Sequence, residues 1–122
     1  MPNINQEEKT NFLQSRLRTV VDELLERKTV EIFGELKIDV SDMDTVALLK
    51  GDRICVNIDA VKYPKYILKY IVAHELAHLV VRGHGRKFWQ VLRDIYPEYE
   101  RGKNALLNRV GAASEIVPSV QK

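Results

Sequence analysis

The chain has 122 residues, 45% hydrophobic and 30% charged, which is enough for one folded domain and too few for two, so we expect a single domain over residues 1–122. The net charge of +2 does not by itself indicate a nucleic-acid-binding protein, although residues 82–109 are basic, with 7 Lys and Arg against 3 Asp and Glu. One cysteine excludes an internal disulfide, and no segment has the pattern of a secretory signal or a membrane span, so we expect a cytoplasmic protein.

The first element is an amphipathic helix over Gln6–Lys28. Its apolar residues recur three and four positions apart, which places them on one face of a helix. They are Phe12, Leu13, Leu17, Val20, Val21, Leu24 and Leu25. We expect this face to pack on the protein's own core.

Between Thr29 and Asp59 the pattern changes to short alternating runs that are typical of β-strands. The apolar positions are Val30 and Ile32; Leu36, Ile38 and Val40; Val46 and Leu48; and Ile54, Val56 and Ile58. Lys50-Gly51-Asp52 is a hairpin signal between two of these runs. Short connections predict an antiparallel meander of about three strands.

A second helix is predicted to start near Pro64 and to continue to Gly83, which can end it in a left-handed conformation. Further helices are predicted from Arg86 to Tyr96, before Pro97, and from Arg101 to Val110. The tail over residues 111–122 shows no sustained period, and we expect it to be frayed.

The central helix carries the sequence His74-Glu75-Leu76-Ala77-His78. Residues four apart lie on one face of a helix, about 6 Å apart along its axis, so both imidazoles can bind one cation. Glu75 is rotated by about 100° from His74, and it suits the position of a general base that holds the attacking water. The spacing therefore predicts a catalytic zinc site.

Such a site needs a third protein ligand and one position open to water. The next residues on the same helix face, Val81 and Arg82, cannot bind zinc, whereas His84 follows Gly83, where a sharp turn can bring an imidazole back to the ion. The alternative is a metal-free polar core. Because apolar residues surround the motif, buried imidazoles and a carboxylate without a partner would be costly there.

The sequence from His74 through His84 to Phe88-Trp89, followed by Tyr96-Pro97-Glu98-Tyr99, resembles the small zincin metallopeptidases of the YgjP-like, WLM and SprT-like group. The resemblance spans about residues 54–109. It implies an α+β, zincin-like fold: an N-terminal helix, a small twisted and mainly antiparallel sheet, an active-site helix packed under that sheet, and C-terminal helices. It also implies one Zn²⁺ ion with His74, His78 and His84 as ligands, and Glu75 as general base.

Two departures limit this resemblance. Metzincins have glycine where this chain has Val81, and they need a methionine turn after the motif, whereas the only methionines here are Met1 and Met43. Gluzincins take the third ligand from a later glutamate, for which Glu98 is the alternative to His84. SprT-like and WLM proteins can act on DNA-bound proteins through added regions, for which this chain has no room.

The implied activity is hydrolysis of peptide bonds in extended or unfolded protein substrates by a zinc-bound water, with Glu75 as the base. Tyr99, Tyr96 and Arg86 are candidates for stabilising the oxyanion. The substrate is expected to pair with a strand edge, either at Asp44–Leu49 or at Ile54–Ile58. Phe88 and Trp89 are expected to pack behind the third ligand.

The rival hypothesis is a catalytically latent, zinc-stabilised domain that binds protein or nucleic acid. Its binding surface would be the basic residues Arg82, Arg86, Lys87, Arg93, Arg101, Lys103 and Arg109. A purely structural zinc site takes four protein ligands, and Cys55 is the candidate for the fourth. The general base Glu75 favours the enzyme, for which the tail after Gly111 is a candidate latency segment.

Overall fold

The computed structural model describes residues 5–26 and 36–110, and for Val110 the backbone alone. Within these ranges the fold is α+β, as predicted, with four α-helices and a three-stranded sheet. The elements in chain order are α1 (Gln6–Leu25), β1 (Lys37–Ser41), β2 (Ala47–Lys50), β3 (Arg53–Asn57), a short 3-10 helix (Ile58–Lys62), α2 (Lys65–Val80), α3 (Arg86–Ile95) and α4 (Tyr99–Val110). The predicted strand residues Val30 and Ile32, the predicted helix end Lys28 and the tail over residues 111–122 lie outside the described residues.

Helix α1 begins at a capping box, in which the side chain of Asn5 accepts from the backbone N–H of Glu8 and the Glu8 side chain accepts from the backbone N–H of Asn5. Its predicted apolar face is buried through Leu13, Leu17, Val20, Val21 and Leu24. Its polar side reaches the sheet, because the amide of Gln14 donates to the Ile38 carbonyl at 3.1 Å. Packing on the protein's own core is therefore confirmed.

The predicted antiparallel meander is wrong in one of its two pairings. The strand order is β1-β3-β2, with β1 parallel to β3 and β2 antiparallel to β3. The segment between β1 and β2 crosses the end of β3, where the Asn57 side-chain amide donates to the carbonyls of Met43 and Thr45 at 2.9 and 3.1 Å. These bonds direct the chain past β3, so that β2 forms on its far side. The predicted hairpin at Gly51 is confirmed, with a φ of 59°.

Helix α2 lies at the centre of the core. Its residues from Tyr70 to Ala77 are all buried, which explains why it is apolar around most of its circumference. Helices α1, α3 and α4 and strand β2 pack against it. Gly83 has the predicted positive φ, 76°, but it does not cap the helix: α2 ends at Val80, and Val81 is already extended. None of the helices among the described residues is long and apolar enough to cross a membrane.

Candidate metal centre

Helix α2 places His74 and His78 one turn apart on the same face. Their ring centroids are 5.0 Å apart, and His74 is buried with only 2% of its surface exposed. The ring of Tyr70, one turn before His74, lies edge-on to it with a centroid distance of 5.7 Å. The i, i+4 spacing that predicts two neighbouring imidazoles therefore also places Tyr70 next to them. A tyrosine on an apolar helix carries no sequence signal that distinguishes this position from an ordinary core position.

His84 returns to this face from the loop after α2. Its Nε2 atom lies 3.2 Å from Nε2 of His78. The other nitrogen of His78, Nδ1, lies 3.2 Å from the Val81 carbonyl. Because a carbonyl only accepts, Nδ1 carries the proton in that bond, and the lone pair of Nε2 points towards His84. One ligating atom from each of the three histidines lies within 4.8 Å of the other two.

Phe88, on the first turns of α3, supports the three imidazoles. Its fully buried ring has centroid distances of 5.1 Å to His74, 4.5 Å to His78 and 4.9 Å to His84. The neighbouring Trp89 donates its indole N–H to the backbone carbonyl of His84 at 3.0 Å. The expected packing of Phe88 and Trp89 behind His84 is confirmed. The Trp89 hydrogen bond could not be inferred from the sequence.

Glu75 is fully buried next to the histidines. Its Oε2 atom lies 3.2 Å from Nδ1 of His74, while Oε1 is buried and has no hydrogen-bond partner among the described residues. Burial raises the pKa of this carboxyl group to about 8, and the nearby imidazoles of His78 and His84 lower it only in part. A carboxyl with such a pKa is suited to proton transfer near neutral pH.

The imidazole of His78 has a pKa below its ordinary value. Burial is the main cause, and the neighbouring His74 acts in the same direction. A lowered pKa favours the neutral ring, which is the form that binds a metal ion. The local environment therefore keeps His78 in a ligating state.

The other candidates lie elsewhere. Glu98 is exposed between α3 and α4, and it is not part of the group that brings the three histidines together in the described structure. Cys55 is half-buried on β3, and burial raises its thiol pKa. Tyr96 and Tyr99 are buried, whereas Arg86 is exposed at the start of α3.

Three of the basic residues after the motif lie over aromatic rings. Arg101 is 3.9 Å from the ring centroid of Tyr66, Lys103 is 4.7 Å from that of Trp89, and Arg109 is 5.7 Å from that of Tyr63. These contacts join α4 to α2, to α3 and to Tyr63, which precedes α2, through cation–π attraction. Part of the basic composition of residues 82–109 therefore has a structural role.

Comparisons with known proteins agree with the geometry of the site. Residues 2–109 match the family model of the YgjP-like metallopeptidase domain. No curated protein matches the chain at a significant level of similarity.

Solved structures that share the fold include two metallopeptidase zymogens. The metallopeptidase zymogen abylysin of Pyrococcus abyssi superposes with a TM-score of 0.70 at 15% sequence identity, over 83% of this chain and 99% of abylysin. The metallopeptidase zymogen jannalysin of Methanocaldococcus jannaschii superposes with a TM-score of 0.63 at 22% identity, over 77% of this chain and 96% of jannalysin.

Proposed function

The chain belongs to the YgjP-like metallopeptidase domain family, and from this premise we propose that it is a zinc endopeptidase with His74, His78 and His84 as ligands and Glu75 as general base. The observation that carries the proposal is the convergence of three imidazoles beside a fully buried carboxyl group. We further propose that residues 1–122 form one domain and that it works in a reducing, cytoplasmic compartment, since its lone cysteine cannot form an internal disulfide.

The residues fit a zinc ion in two respects. Two nitrogen ligands of a tetrahedral zinc ion, each about 2.0–2.1 Å from the metal, lie about 3.3–3.4 Å apart. The separation of 3.2 Å between the Nε2 atoms of His78 and His84 is close to this value. Three imidazoles also supply the number and type of protein ligands that catalytic zinc takes, with a fourth position left for water.

When bound, the zinc ion would polarise the scissile carbonyl and make a water molecule more acidic. Glu75 would take the proton of the attacking water on its carboxylate and pass it to the leaving amine nitrogen. The Oε1 atom, which has no hydrogen-bond partner within the described ranges, offers an acceptor for that proton. Glu75 is fully buried, so its carboxyl group is shielded from bulk water.

We propose that the substrate binds as an extended strand along β2. Of the two strand segments expected from the sequence, Ile54–Ile58 is unsuitable, because β3 is the central strand and is paired on both sides. Strand β2 pairs only with β3 in the described sheet, and it also contacts α2. A strand edge that is unpaired among the described residues and lies beside the active-site helix suits main-chain pairing. Such pairing depends little on the substrate's side chains, so it fits unfolded protein segments.

The test is incubation of the zinc-loaded protein with unfolded casein beside the Glu75→Gln variant, with peptide release followed over time. Loss of a general base typically slows the reaction by about 10²–10⁴-fold. We expect cleavage by the unmodified protein, loss of cleavage in the variant, and equal zinc content in both. Equal cleavage by both proteins would contradict the role of Glu75. No cleavage by either, with zinc bound, would contradict the endopeptidase activity for unfolded substrates.

A further inference from the structure

We propose that Trp89 is the positioning residue for His84, and that it acts through the hydrogen bond from its indole N–H to the His84 backbone carbonyl. The inference rests on the proposed function, in which His84 is a zinc ligand. It goes beyond that function because it identifies a side chain outside the ligand set as the group that holds the third ligand in place.

His84 needs such a restraint because of where it lies. It is exposed, and it stands between two exposed glycines, Gly83 and Gly85. Gly83 has a φ of 76°, in the region that favours glycine. Apart from its own atoms and those of its chain neighbours, neither glycine has an atom of the described residues within 4 Å of the position a Cβ would take. An open, glycine-flanked loop loses conformational entropy whenever its imidazole is held on a metal ion.

The Trp89 side chain supplies a fixed point next to this loop. Its indole N–H donates a hydrogen bond of 3.0 Å to the backbone carbonyl of His84, which lies five residues earlier in the chain. The same residue's ring lies 6.3 Å from the His84 imidazole, centroid to centroid. One side chain therefore contacts both the backbone and the side chain of His84, so its hydrogen bond fixes the loop at the residue whose imidazole must face His78.

Trp89 is itself held by α4. Its ring stacks on Tyr99 with a centroid distance of 5.9 Å and an interplanar angle of 29°. The Lys103 ammonium lies 4.7 Å from the Trp89 ring centroid, and Phe88 meets the ring edge-on at 5.1 Å. These contacts leave the indole little freedom to turn. Helix α4, which supplies no ligand, thereby contributes to the position of the third ligand.

The sharpest test removes the N–H group and preserves the ring. Trp89 is the only tryptophan, so replacing tryptophan by its benzothienyl analogue, which has sulfur in place of N–H, changes this one position. Zinc affinity is measured by competition with a chromophoric chelator. We expect affinity to fall about 10-fold, the lower end of the 10–100-fold range for groups that orient ligands, since the bond is to the backbone and not to the ring. Trp89→Phe should weaken zinc binding at least as much.

Two controls separate positioning from general stability. Gln90→Ala changes an exposed residue next to Trp89 on α3 and leaves the indole, its N–H group and its acceptor in place, so zinc affinity should stay within about twofold. The thermal unfolding of the metal-free analogue protein should match that of the unmodified protein. A lower zinc affinity of the analogue protein, without a lower metal-free stability, supports the positioning role of Trp89. A zinc affinity equal to that of the unmodified protein overturns it.

The fluorescence of Trp89 gives a second readout that does not depend on activity. In the unmodified protein, emission should change on adding zinc and saturate at one equivalent, and the change should be lost in His84→Ala. If His84→Ala weakens zinc binding but the sulfur analogue does not, the inference fails and the proposed function stands. If the unmodified protein does not bind zinc, both fail together.

Discussion

At the residue scale, the buried carboxyl of Glu75 links the candidate site to the stability of the fold. Its folded pKa of about 8 lies above the ordinary value of 4.5 because burial disfavours the charged form. Between these values the folded protein holds a proton that the unfolded chain has released. The contribution of Glu75 to the free energy of unfolding is therefore complete below about pH 4.5 and is lost as the pH rises through about 8.

This predicts how Glu75→Gln behaves without metal. Glutamine cannot ionise, so the variant should gain stability relative to the unmodified protein as the pH rises from 5 to 8, by up to about 1.4 kcal/mol per pH unit. Urea unfolding in the presence of a chelator measures this difference. The lowered pKa of His78 acts in the opposite direction, and its contribution does not cancel fully, because the charge of Glu75 raises that pKa. Above about pH 7.5 His78 is neutral in the folded and the unfolded chain, so the comparison there is free of this contribution. A difference in the free energy of unfolding that does not change with pH would contradict the raised pKa of Glu75.

Phe88 contacts all three imidazoles, so its shape should matter more for zinc than for the fold. Phe88→Leu should cost about 1–2 kcal/mol of stability and weaken zinc binding about 10-fold, because the three imidazoles would no longer pack on an aromatic ring. Ile95→Val is a matched control two turns along α3, where the side chain is also buried, with 1% exposed. It should cost about 0.5–1.5 kcal/mol and leave zinc affinity within about twofold. Similar zinc affinities in the two variants would show that Phe88 is only a core residue.

At the element scale, the packing of α4 on α2 depends on Gly102. A Cβ built there would lie 2.5 Å from the Tyr66 carbonyl oxygen and 2.7 Å from the Tyr70 Cβ atom. Both are closer than real contacts allow, and neither atom belongs to the end of a flexible side chain. The two helices approach this closely only because residue 102 has no side chain.

Gly102→Ala should therefore destabilise the protein by about 1–2 kcal/mol net, because overpacking outweighs the better helix propensity of alanine. Asn104→Ala, at an exposed position on the same helix, should stabilise it by about 0.5 kcal/mol. Chemical denaturation of both variants measures the contrast. A Gly102→Ala protein as stable as Asn104→Ala would mean that α4 can shift away from α2 at no cost.

The sequence predicted the elements better than their arrangement. Helix α2 and the turn at Gly51 follow from local patterns, because periodicity and a glycine with positive φ act within a few residues. The parallel pairing of β1 with β3 depends on the side chain of Asn57 binding the crossing segment, a contact between residues 12 and 14 positions apart. No periodic pattern encodes such a contact.

The same distinction applies to the site. His74, Glu75 and His78 were predicted from helical spacing alone, and His84 from a turn after Gly83. The bond from the Trp89 indole to the His84 carbonyl and the support from Phe88 require the angle between α2 and α3, which only the packed structure supplies. The roles of His74, His78 and His84 in metal binding and of Glu75 in catalysis stay predictions.

At the scale of the whole molecule, the site joins three parts of the chain: α2 brings His74 and His78, the following loop brings His84, and α3 brings the supporting aromatic rings. Helix α1 is attached to the start of α2 by Glu23, whose carboxylate accepts from Lys65 at 2.7 Å and lies 3.2 Å from the Lys69 ammonium. These ion pairs are partly exposed to solvent, so each adds little to stability. The position of α2 is set mainly by its buried surfaces.

Because the proposed ligands come from separate elements, zinc should stabilise the folded chain and not the unfolded one. At free zinc 100 times the dissociation constant, the gain is about 2.7 kcal/mol, which for a domain of this size corresponds to a melting-temperature rise of about 10 °C. Differential scanning calorimetry with zinc and with a chelator measures the rise. His84→Ala should lose most of it while keeping a metal-free melting temperature within a few degrees, since His84 is exposed. An undiminished rise in that variant would mean that zinc binds without His84, and would remove the loop from the metal centre.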